Sequence, residues 1–499
     1  MIEIYRLNQP SILIKADIAG EFPIYLYVPN SMDEVLYSKS INELLNHEKV
    51  SKPLEITNKG ISFLLQSGVI PPPNTIYKSV YVLGMNDEVE LSTRNGIVNL
   101  EFKSSFPFSS SNVNYEDKKP DENRLLELVS NAAMARIDSK KPTYLFHSAG
   151  KDSNTIALAI AEAGLQSRIT LVSHKSKGLA DESEISKQIA KKLGFKHKVL
   201  NEVDNLRPVH RSAIKDFFKN SPFPSTDSVT LAYPLYLQQL PTLAGANVID
   251  GGGNDSYMMT PPTKRERRNV FITDHILHSN CLRRSIKSES LLFPLTKTRC
   301  EWFGTSGFSY SDSKKIMRES IDVNPYWVGV SSQRKDLNLI DLKTSILTQI
   351  VASEVHIRKV RNFADSVSSN LILPFANEKV AMYVSSISNR YLFDVGSNKN
   401  KLVLRKILKD RIDLDSDIIG KMGYEYDTKS LLLANWDSVV SEIERCKTWN
   451  QVEIFTVVIR LKKVMHKNHK YSRLAGQLLY RLYIISIWLN ENKYIKMSS

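Results

Sequence analysis

The sequence predicts an α/β protein in which a β-rich N-terminal part precedes a doubly wound parallel sheet and a helical C-terminal part. Residues 1–110 contain short β-branched and aromatic runs separated by Pro, Asn, Asp and Gly, a pattern typical of strands and turns. Beyond residue 121, strand-like and helix-like runs alternate, which indicates parallel strands joined by crossover helices. A polar link over 104–121 separates the two parts. We therefore expect domains at 1–110 and 121–499, with the helical part starting near residue 340.

The individual strand and helix candidates follow from the hydrophobic runs and their spacing. In the N-terminal part we expect strands at 12–14, 24–28 and 80–83, and a strand end with a short helix over 35–45. In the second part an amphipathic helix over 122–137 precedes the strand–helix alternation. The elements predicted there are strand 143–147, helix 154–164, strand 168–173, helix 181–193, strand 198–200 and strand 247–249.

The turn after the strand at 143–147 carries the most informative residues. Its sequence is Ser148-Ala149-Gly150-Lys151-Asp152-Ser153. Small residues allow backbone N–H groups to approach an anion, and the helix that follows adds the positive end of its dipole. The serine hydroxyls can donate to phosphate oxygens, and Asp152 can bind Mg²⁺ beside them. The spacing is not that of a Walker A loop, and the alternative is an ordinary strand–turn–helix with polar turn residues.

A second, glycine-rich turn follows the short apolar strand at 247–249. Its sequence is Asp250-Gly251-Gly252-Gly253-Asn254-Asp255. Three consecutive glycines permit a close approach of the backbone to a ligand. Because the carboxyl ends of parallel strands meet at one edge of a sheet, we expect Asp255 to oppose Asp152 as a second Mg²⁺ carboxylate. Two carboxylates from separate strand ends suit metal ions that bridge the phosphates of ATP.

These turns and their surroundings resemble a known family. The first turn resembles the S-G-G-x-D-S loop of ATP pyrophosphatases (PP-loop enzymes), which cleave ATP between the α- and β-phosphates and adenylate a substrate; Ala149 replaces one of its two Gly residues. The glycine-rich turn takes the place of S-G-E-G-x-D-E, and residues 181–197 resemble the D-E…A…L-G-x-x-H pattern of class B asparagine synthetases. Residues 61–78 resemble the L-x-x-G-x-x-P-x-x-x-T-I-Y segment that leads into their synthetase domain. The chain is thus similar to the asparagine synthetase superfamily, with a glutaminase-like (Ntn-hydrolase-like) remnant at 1–110.

The resemblance extends to C-terminal motifs and implies a set of site residues. Residues 371–375 stand where family members carry E-x-R-x-P-F/Y, residues 401–408 resemble K-x-x-L-R, and residues 421–424 resemble R-x-K-x-G-F. The resemblance implies that ATP and Mg²⁺ bind, that Asp152 and Asp255 hold the metal, and that Lys421 meets the developing pyrophosphate. A surface lysine at a helix end is the alternative for Lys421. The residues implied in ATP phosphate binding are Ser148, Ala149, Gly150, Lys151, Asp152, Ser153, Gly251, Gly252 and Gly253.

Several positions depart from the family pattern. Position 2 is Ile2 rather than the nucleophilic cysteine of the glutaminase, so we expect no glutamine hydrolysis. The family's catalytic glutamate aligns with Gly252, and the glutamate of E-x-R-x-P-F aligns with Asn370; neither replacement can act as a general base. The arginine of that motif aligns with Ile372, and the Glu after the second metal aspartate aligns with Ser256. The resemblance therefore implies a retained ATP half and a rebuilt acceptor half of the site.

The expected function is that of an ATP-dependent amide ligase. It would adenylate a carboxylate with release of pyrophosphate, and then transfer ammonia or an amine to it with release of AMP. Candidate acceptors are a uronic acid of a surface polysaccharide and a peptide; the nitrogen would come from free ammonia, an amine within the substrate or a separate glutaminase. Three alternatives stay open: an ordinary asparagine synthetase using ammonia, a tRNA-modifying PP-loop enzyme and a degenerate non-catalytic subunit. Against the tRNA class, those enzymes carry the loop near the N-terminus, whereas here it follows more than a hundred residues.

Composition narrows the class of protein. With 499 residues, 42% hydrophobic and 24% charged, the chain is expected to be globular with two or three domains. Despite a net charge of +14, the basic runs at 264–268 and 460–473 are better explained as solvated faces, so nucleic acid is not expected as a partner. We see no secretory signal and no apolar run of bilayer length. Cys281, Cys300 and Cys446 lack metal-ligand spacing, and we expect a cytoplasmic location.

Overall fold

The computed structural model describes residues 1–110, 117–177, 181–275, 280–290, 292–419, 426–467 and 471–495. Within these ranges the chain is an α/β structure with two antiparallel sheets in the N-terminal part, a five-stranded parallel sheet and a helical C-terminal region. The α/β class and the parallel sheet predicted from the sequence are therefore confirmed. None of the described helices is both long and apolar enough to cross a membrane.

The N-terminal part consists of short antiparallel strands and two helices. Its elements are β1 (Glu3–Arg6), β2 (Ile12–Lys15), β3 (Ile24–Tyr27), β4 (Glu34–Ser38), α1 (Ile41–Asn46), α2 (Asn58–Gln66), β5 (Val80–Leu83), β6 (Asp87–Arg94) and β7 (Ile97–Ser104). One sheet has the order β1-β4-β3-β5 and the other has the order β2-β6-β7. All four residues of β3 are buried because this strand lies inside its sheet with both faces covered.

The parallel sheet forms from strands that alternate with helices. These elements are α3 (Glu122–Met134), β8 (Thr143–Phe146), α4 (Lys151–Glu162), β9 (Ile169–Lys175), α5 (Ser183–Leu193), β10 (Lys196–Asn201), α6 (Pro208–Asn220), α7 (Ala232–Gln239) and β11 (Asn247–Ile249). The sheet order is β10-β9-β8-β11, with a fifth strand beside β11 that comes from much later in the chain. After β8, the chain thus adds β9 and β10 on one side of this strand and then β11 on the other side. The crevice between β8 and β11 is the switch point at which such sheets bind ligands.

The remaining residues are mostly helical. They form α8 (Lys264–His275), α9 (Asn280–Ser285), α10 (Tyr310–Ile316), α11 (Asn324–Gln333), α12 (Leu339–Ser345), a π-helical segment (Ile346–Ile357), α13 (Arg358–Ser366), β12 (Asn370–Ile372), α14 (Glu378–Ser385), β13 (Phe393–Asp394), β14 (Lys399–Asn400), α15 (Leu402–Ile412), α16 (Ser416–Ile419), α17 (Thr428–Ala434), α18 (Trp436–Arg445), α19 (Ile454–His466) and α20 (Ser472–Glu491). Strand β12 is the fifth strand of the parallel sheet and pairs with β11. The small pair β13–β14 is antiparallel.

Two of the helices are buried on more than one face. Helix α4 buries eight consecutive residues, 153–160, because it lies against the sheet while α3 and α15 cover its outer sides. Helix α20 is buried along almost its whole length, between α6, α17, α18 and α19. A helix that is apolar all round belongs in a protein core. The contacts of α4 with α3 and α15 fix where α4 begins, and they therefore also fix the turn that precedes it.

Most sequence-predicted elements are present, with shifted ends. The largest difference that bears on the site is the start of α4, which is Lys151 rather than the predicted Asn154. Lys151, Asp152 and Ser153 therefore belong to the first helical turn and not to a preceding loop. The helix expected over 122–137 ends at Met134, and the helix expected from Asp181 begins at Ser183.

Candidate active site

The turn between β8 and α4 is held by its own side chains. The Ser153 hydroxyl accepts a hydrogen bond from the Ser148 N–H at 3.2 Å, and the Ser148 hydroxyl accepts one from the Gly150 N–H at 3.0 Å. Gly150 is the N-cap residue of α4 and provides no side-chain cap. The N–H groups of the first helical turn are thus not capped by a side chain at Gly150, which favours an anion at this position.

A buried carboxylate lies behind the same turn. Oε2 of Glu182 accepts a hydrogen bond from the Ala149 N–H at 3.1 Å, and Glu182 is 5% exposed. Burial raises the pKa of the Glu182 carboxyl, against the opposing effect of the Ala149 N–H. In the sequence, Glu182 belongs to the D-E pattern and to a predicted helix start, and neither implied a contact with the first turn. Its position shows that an acid from the next crossover touches the predicted phosphate turn.

The glycine-rich turn after β11 packs tightly on both of its sides. A Cβ at position 251 would lie 3.2 Å from the Cβ of Asp152, so Gly251 allows the two turns to approach each other. Gly253 has φ +119°, and a Cβ there would lie only 2.7 Å from the backbone nitrogen of Ala376. The packing therefore requires glycine at position 253, and at position 251 it leaves little room for a side chain. The close approach brings Asp255 to the same side of the sheet as Asp152.

Lys401 joins the two predicted metal carboxylates. Its Nζ lies 2.7 Å from Oδ2 of Asp152 and 2.9 Å from Oδ1 of Asp255. The Lys401 side chain is 8% exposed, compared with 30% for Asp152 and 49% for Asp255. Burial alone would lower the pKa of Lys401, but the two carboxylates raise it above its usual value. Asn254 adds a hydrogen bond from its Nδ2 to Oδ1 of Asp152 at 2.6 Å.

Lys401 is the site residue that sequence analysis did not select. The K-x-x-L-R pattern contained it, but the resemblance gave the cationic role to Lys421. Lys421 lies outside the described residues, so its predicted role stays a prediction. Lys401 precedes α15 with a left-handed backbone, φ +57° and ψ +40°. This conformation is unusual for a lysine, and the Lys401 side chain reaches Asp152 and Asp255, which line the cleft.

The two turns, with Asp152 and Asp255, border a cleft of about 310 Å³ at the carboxyl ends of the strands. One end, next to β9 and β10, is mainly apolar and aromatic, whereas the other, next to β11, carries several charged groups. The lining residues are Phe146, His147, Ser148, Gly150, Asp152, Ser153, Val172, Ser173, His174, Ser176, Glu182, Leu200, Tyr233, Tyr236, Asp250, Gly251, Gly252, Asp255 and Lys359.

Histidines near the β9 end belong to buried hydrogen-bond chains. His174 lies 2.9 Å from the Tyr236 hydroxyl through Nδ1 and 3.3 Å from Glu202 through Nε2. Nδ1 of His147 lies 2.7 Å from the Ser186 hydroxyl. Burial lowers the pKa of His147 to about 3, and the nearby His197 adds to this effect. His147 is therefore uncharged at ordinary pH, and its hydrogen bond has a structural role before the turn.

The β11 end combines acids with a lysine. Asp227 accepts a hydrogen bond from the Val229 N–H and pairs with Nζ of Lys359 at 3.1 Å and with Nδ1 of His356 at 3.2 Å. Burial alone would raise the pKa of the Asp227 carboxyl, but Lys359 and His356 hold it well below its usual range. Asp250 lines the cleft beside this group. This end of the cleft therefore suits a polar ligand.

Of the two positions at which the family's acids are replaced, one lies in the cleft and the other lies outside it. Gly252 lines the cleft. Asn370 begins β12 and is level with Asn247 at the start of β11, which is the opposite edge of the sheet. Nδ2 of Asn370 donates to the Arg136 carbonyl and to Oδ1 of Asn247, so this residue joins the strand to the end of α3. Asn370 thus has a structural explanation away from the cleft.

No protein-family model and no curated protein matches this chain. The assignment of function therefore depends on the geometry of the cleft and on the chemistry of its residues.

Proposed function

We propose that the chain is an AMP-forming amide ligase of the asparagine synthetase type, with a PP-loop synthetase domain and a shortened, glutaminase-like N-terminal part. The observation that carries the proposal is the contact of Lys401 with both Asp152 and Asp255 beside the turn at 148–153. The start of a helix and a buried lysine can bind a polyphosphate and stabilise the charge that develops on it during reaction. The two acids can hold a metal ion beside it. The position at the switch point of the sheet supports the same conclusion.

The first step would join a carboxylate to AMP. The acceptor carboxylate attacks the α-phosphorus of ATP, the bond to the bridging oxygen breaks, and pyrophosphate leaves with the electron pair. The amides of the 148–153 turn would bind the phosphates, and Lys401 would stabilise charge on the leaving pyrophosphate. Lys421 would supply a second cation, as the resemblance implies.

The acidic pair fits a divalent cation. Asp152 and Asp255 already converge on one cation, and carboxylate oxygens are preferred ligands of Mg²⁺. The described residues contain no group of three or more His, Cys, Asp or Glu side chains placed to hold a metal. A Mg²⁺ ion at Asp152 and Asp255 would therefore depend on phosphate oxygens and water for its other ligands, and would neutralise charge on the triphosphate when bound.

The second step would form the amide. An amine or ammonia attacks the acyl carbon of the adenylate, and AMP leaves. Ile2 provides no thiolate, so the nitrogen would be free ammonia, an amine of the substrate or the product of a separate glutaminase. A surface-polysaccharide uronic acid or a peptide carboxylate is the proposed acceptor, bound towards the charged β11 end of the cleft.

ATP–pyrophosphate exchange tests the proposal directly. Purified protein, Mg²⁺, ATP and labelled pyrophosphate are incubated with a panel of uronic acids, peptides and amino acids, and nucleotide products are identified. We expect exchange with at least one carboxylate, and AMP with pyrophosphate as products. Asp152→Asn should abolish it, whereas Asp437→Asn, on the exposed face of α18, should not. Formation of ADP and phosphate would contradict the proposal.

Two further comparisons separate this function from its alternatives. We expect aspartate not to stimulate exchange, because the acceptor half of the site is rebuilt; robust aspartate-dependent exchange with asparagine formed from ammonia would indicate ordinary asparagine synthesis. ATP turnover that requires RNA would indicate a tRNA-modifying enzyme. Lys421→Ala should slow adenylation by roughly a hundredfold and leave ATP binding weakened but present.

A further inference from the structure

One cleft carboxylate, Asp250, is not explained by nucleotide binding. It directly follows β11, and its Oδ1 accepts a hydrogen bond from the Gly252 N–H at 2.9 Å. Among the described residues, Oδ2 accepts no hydrogen bond and pairs with no cation within 4 Å. The side chain lines the cleft together with Lys359. One oxygen is thus fixed by the backbone, and the other remains available to a ligand.

The other three carboxylates that line the cleft contact Lys401 or the turn at 148–153. Asp152 and Asp255 bind Lys401, and Oε2 of Glu182 accepts a hydrogen bond from the Ala149 N–H, while its Oε1 is buried without a hydrogen-bond partner among the described residues. All three therefore belong to the phosphate end of the cleft. Asp250 has no ion pair with Lys401 among the described residues; its carboxyl is influenced by Asp152 and by Lys359, which pairs with Asp227.

Gly252 keeps the Asp250 carboxylate accessible. A Cβ at position 252 would lie 3.2 Å from Oδ1 of Asp250 and 3.3 Å from Cγ1 of Ile357. A side chain at 252 would therefore occupy the space directly over the carboxylate. Because Gly252 has no side chain, this space is open to a ligand. A carboxylate introduced at residue 252 would reach the same region of the cleft.

We propose that Asp250 is the general base that accepts a proton from the attacking nitrogen during amide formation. This assignment rests on the proposed ligase function. Burial raises the pKa of the Asp250 carboxyl, while the Gly252 N–H and Lys359 oppose that effect. A carboxylate that burial makes more basic, and that has one oxygen facing the cleft, is suited to accepting a proton from a bound amine.

The proposed step is balanced in atoms and charge. The lone pair of a neutral amine forms a bond to the acyl carbon of the adenylate, and the bond from that carbon to the phosphate oxygen breaks. AMP leaves with the electron pair, and one proton moves from nitrogen to Oδ2 of Asp250. The protonated carboxyl then returns its proton to solvent when the products leave.

The first experiment needs no acceptor. The intact protein is treated at pH 6 with a water-soluble carbodiimide and methylamine, and modified peptides are mapped by mass spectrometry. The reagent activates protonated carboxyl groups, and methylamine then captures those that an amine can reach. We expect a methylamide at Asp250, with the exposed Asp437 as a positive control for labelling. Labelling of Asp437 without labelling of Asp250 would overturn the proposal, because the amine would then not reach this carboxyl.

The second experiment relocates the carboxylate. With a carboxylate that supports exchange and methylamine as the nitrogen donor, Asp250→Asn and Asp250→Ser should lower the ratio of amide formation to exchange by about a hundredfold, the usual contribution of a general base. The double variant Asp250→Ser/Gly252→Glu should recover at least about tenfold of this loss, because it returns a carboxylate to the same space. Gly252→Glu alone should not increase the ratio.

The outcomes distinguish this inference from the ligase proposal. If no carboxylate supports exchange in the unmodified protein, the ligase function fails. If exchange occurs and Asp250→Asn forms amide at the normal ratio, the function stands and Asp250 is not the base. A loss that the double variant does not recover, together with absence of methylamide at Asp250, would indicate a structural role for this side chain.

Discussion

Nζ of Lys401 lies 2.7 Å from Oδ2 of Asp152, although 249 positions separate the two residues in the chain. The contact forms because α15, which Lys401 precedes, packs directly on α4, which carries Asp152 in its first turn. The same lysine contacts Asp255 from the β11 side. One buried cation therefore connects the two turns that the sequence shows only as separate motifs.

Replacing Lys401 should change metal binding as well as catalysis. In Lys401→Met, Asp152 and Asp255 lose their shared ammonium group, so Mg²⁺ should bind the free protein more tightly, as measured by calorimetry. Exchange should nevertheless fall by about a hundredfold, the usual cost of removing one charge-stabilising group. Lys399→Met is the matched control, because Lys399 pairs with Asp417 at the surface. Unchanged Mg²⁺ affinity in Lys401→Met would show that the lysine and the metal do not compete.

Glu182 should make ATP binding depend on pH. Its carboxylate touches the phosphate turn, so its negative charge opposes the triphosphate, and protonation removes that opposition. Because burial raises the pKa of Glu182, ATP affinity should fall as pH rises through that pKa. Glu182→Gln should bind ATP about tenfold more tightly at pH 8, which corresponds to one pKa unit of interaction, and should lose the pH dependence.

The control for this prediction is Glu184→Gln, an exposed acid on the same helix. Titration calorimetry in buffers with different ionisation enthalpies would count the protons taken up with ATP. Uptake that persists in Glu182→Gln would assign the effect to another group.

His147 should make the folded protein less stable in mild acid. Burial, with a contribution from His197, lowers the pKa of His147 to about 3, whereas an unfolded histidine has a pKa of about 6.5. The folded state thus excludes a proton that the unfolded state binds. Its stability is fully present above pH 6.5 and is lost as pH falls from 6.5 towards 3, by about 2 kcal/mol at pH 5.

Chemical unfolding of His147→Gln at several pH values measures this contribution. The decrease in unfolding free energy between pH 6.5 and pH 5 should be smaller by about 2 kcal/mol in the variant. His466→Gln, at an exposed position on α19, should keep the normal decrease. Equal pH slopes for the native protein and His147→Gln would contradict the assignment.

Gly253 should tolerate no side chain. In Gly253→Ala, a Cβ would meet the Ala376 backbone at 2.7 Å and would also sit at a positive φ. Gly164→Ala provides the control, since its φ is also positive but no atom lies within 4 Å of the added Cβ. We expect Gly164→Ala to cost about 1 kcal/mol and Gly253→Ala about 3 kcal/mol or more. Equal losses, measured by thermal unfolding, would show that the turn moves away from residues 374–376 at little cost.

Local sequence patterns were sufficient for the strands and turns of the site. Strand β8 is a short apolar run, and the small residues after it leave few conformations other than a tight turn into a helix. The glycine run after β11 indicated a close backbone approach, and Gly251 and Gly253 have contacts that explain it. Hydrophobic periodicity predicts the start of α4 three residues too late. The first turn of the helix contains Lys151, Asp152 and Ser153, which are polar and so do not contribute to that periodicity.

Other features depend on contacts between distant segments. Asn370 matched a family acid by its place in a motif, but its position in the strand register puts it at the opposite edge of the sheet. Glu182 belongs to the D-E pattern and to a helix start, but nothing in its local sequence indicates that Ala149 will donate to it. Lys401 belongs to the K-x-x-L-R pattern, but its burial and its contact with Asp152 come from the packing of α15 on α4.

Local sequence was thus enough to predict the α/β class, the two small-residue turns and the pair of acids, because backbone conformation and helix or strand periodicity are properties of a few neighbouring residues. Which charged groups meet depends instead on the packing of distant segments. Lys401, Glu182 and Asp250 acquire their surroundings from segments that lie tens to hundreds of residues away, and burial among those segments sets the direction of each pKa shift. Electrostatic interactions depend on distance in space and on the exclusion of water, and both are fixed when the helices pack against the sheet.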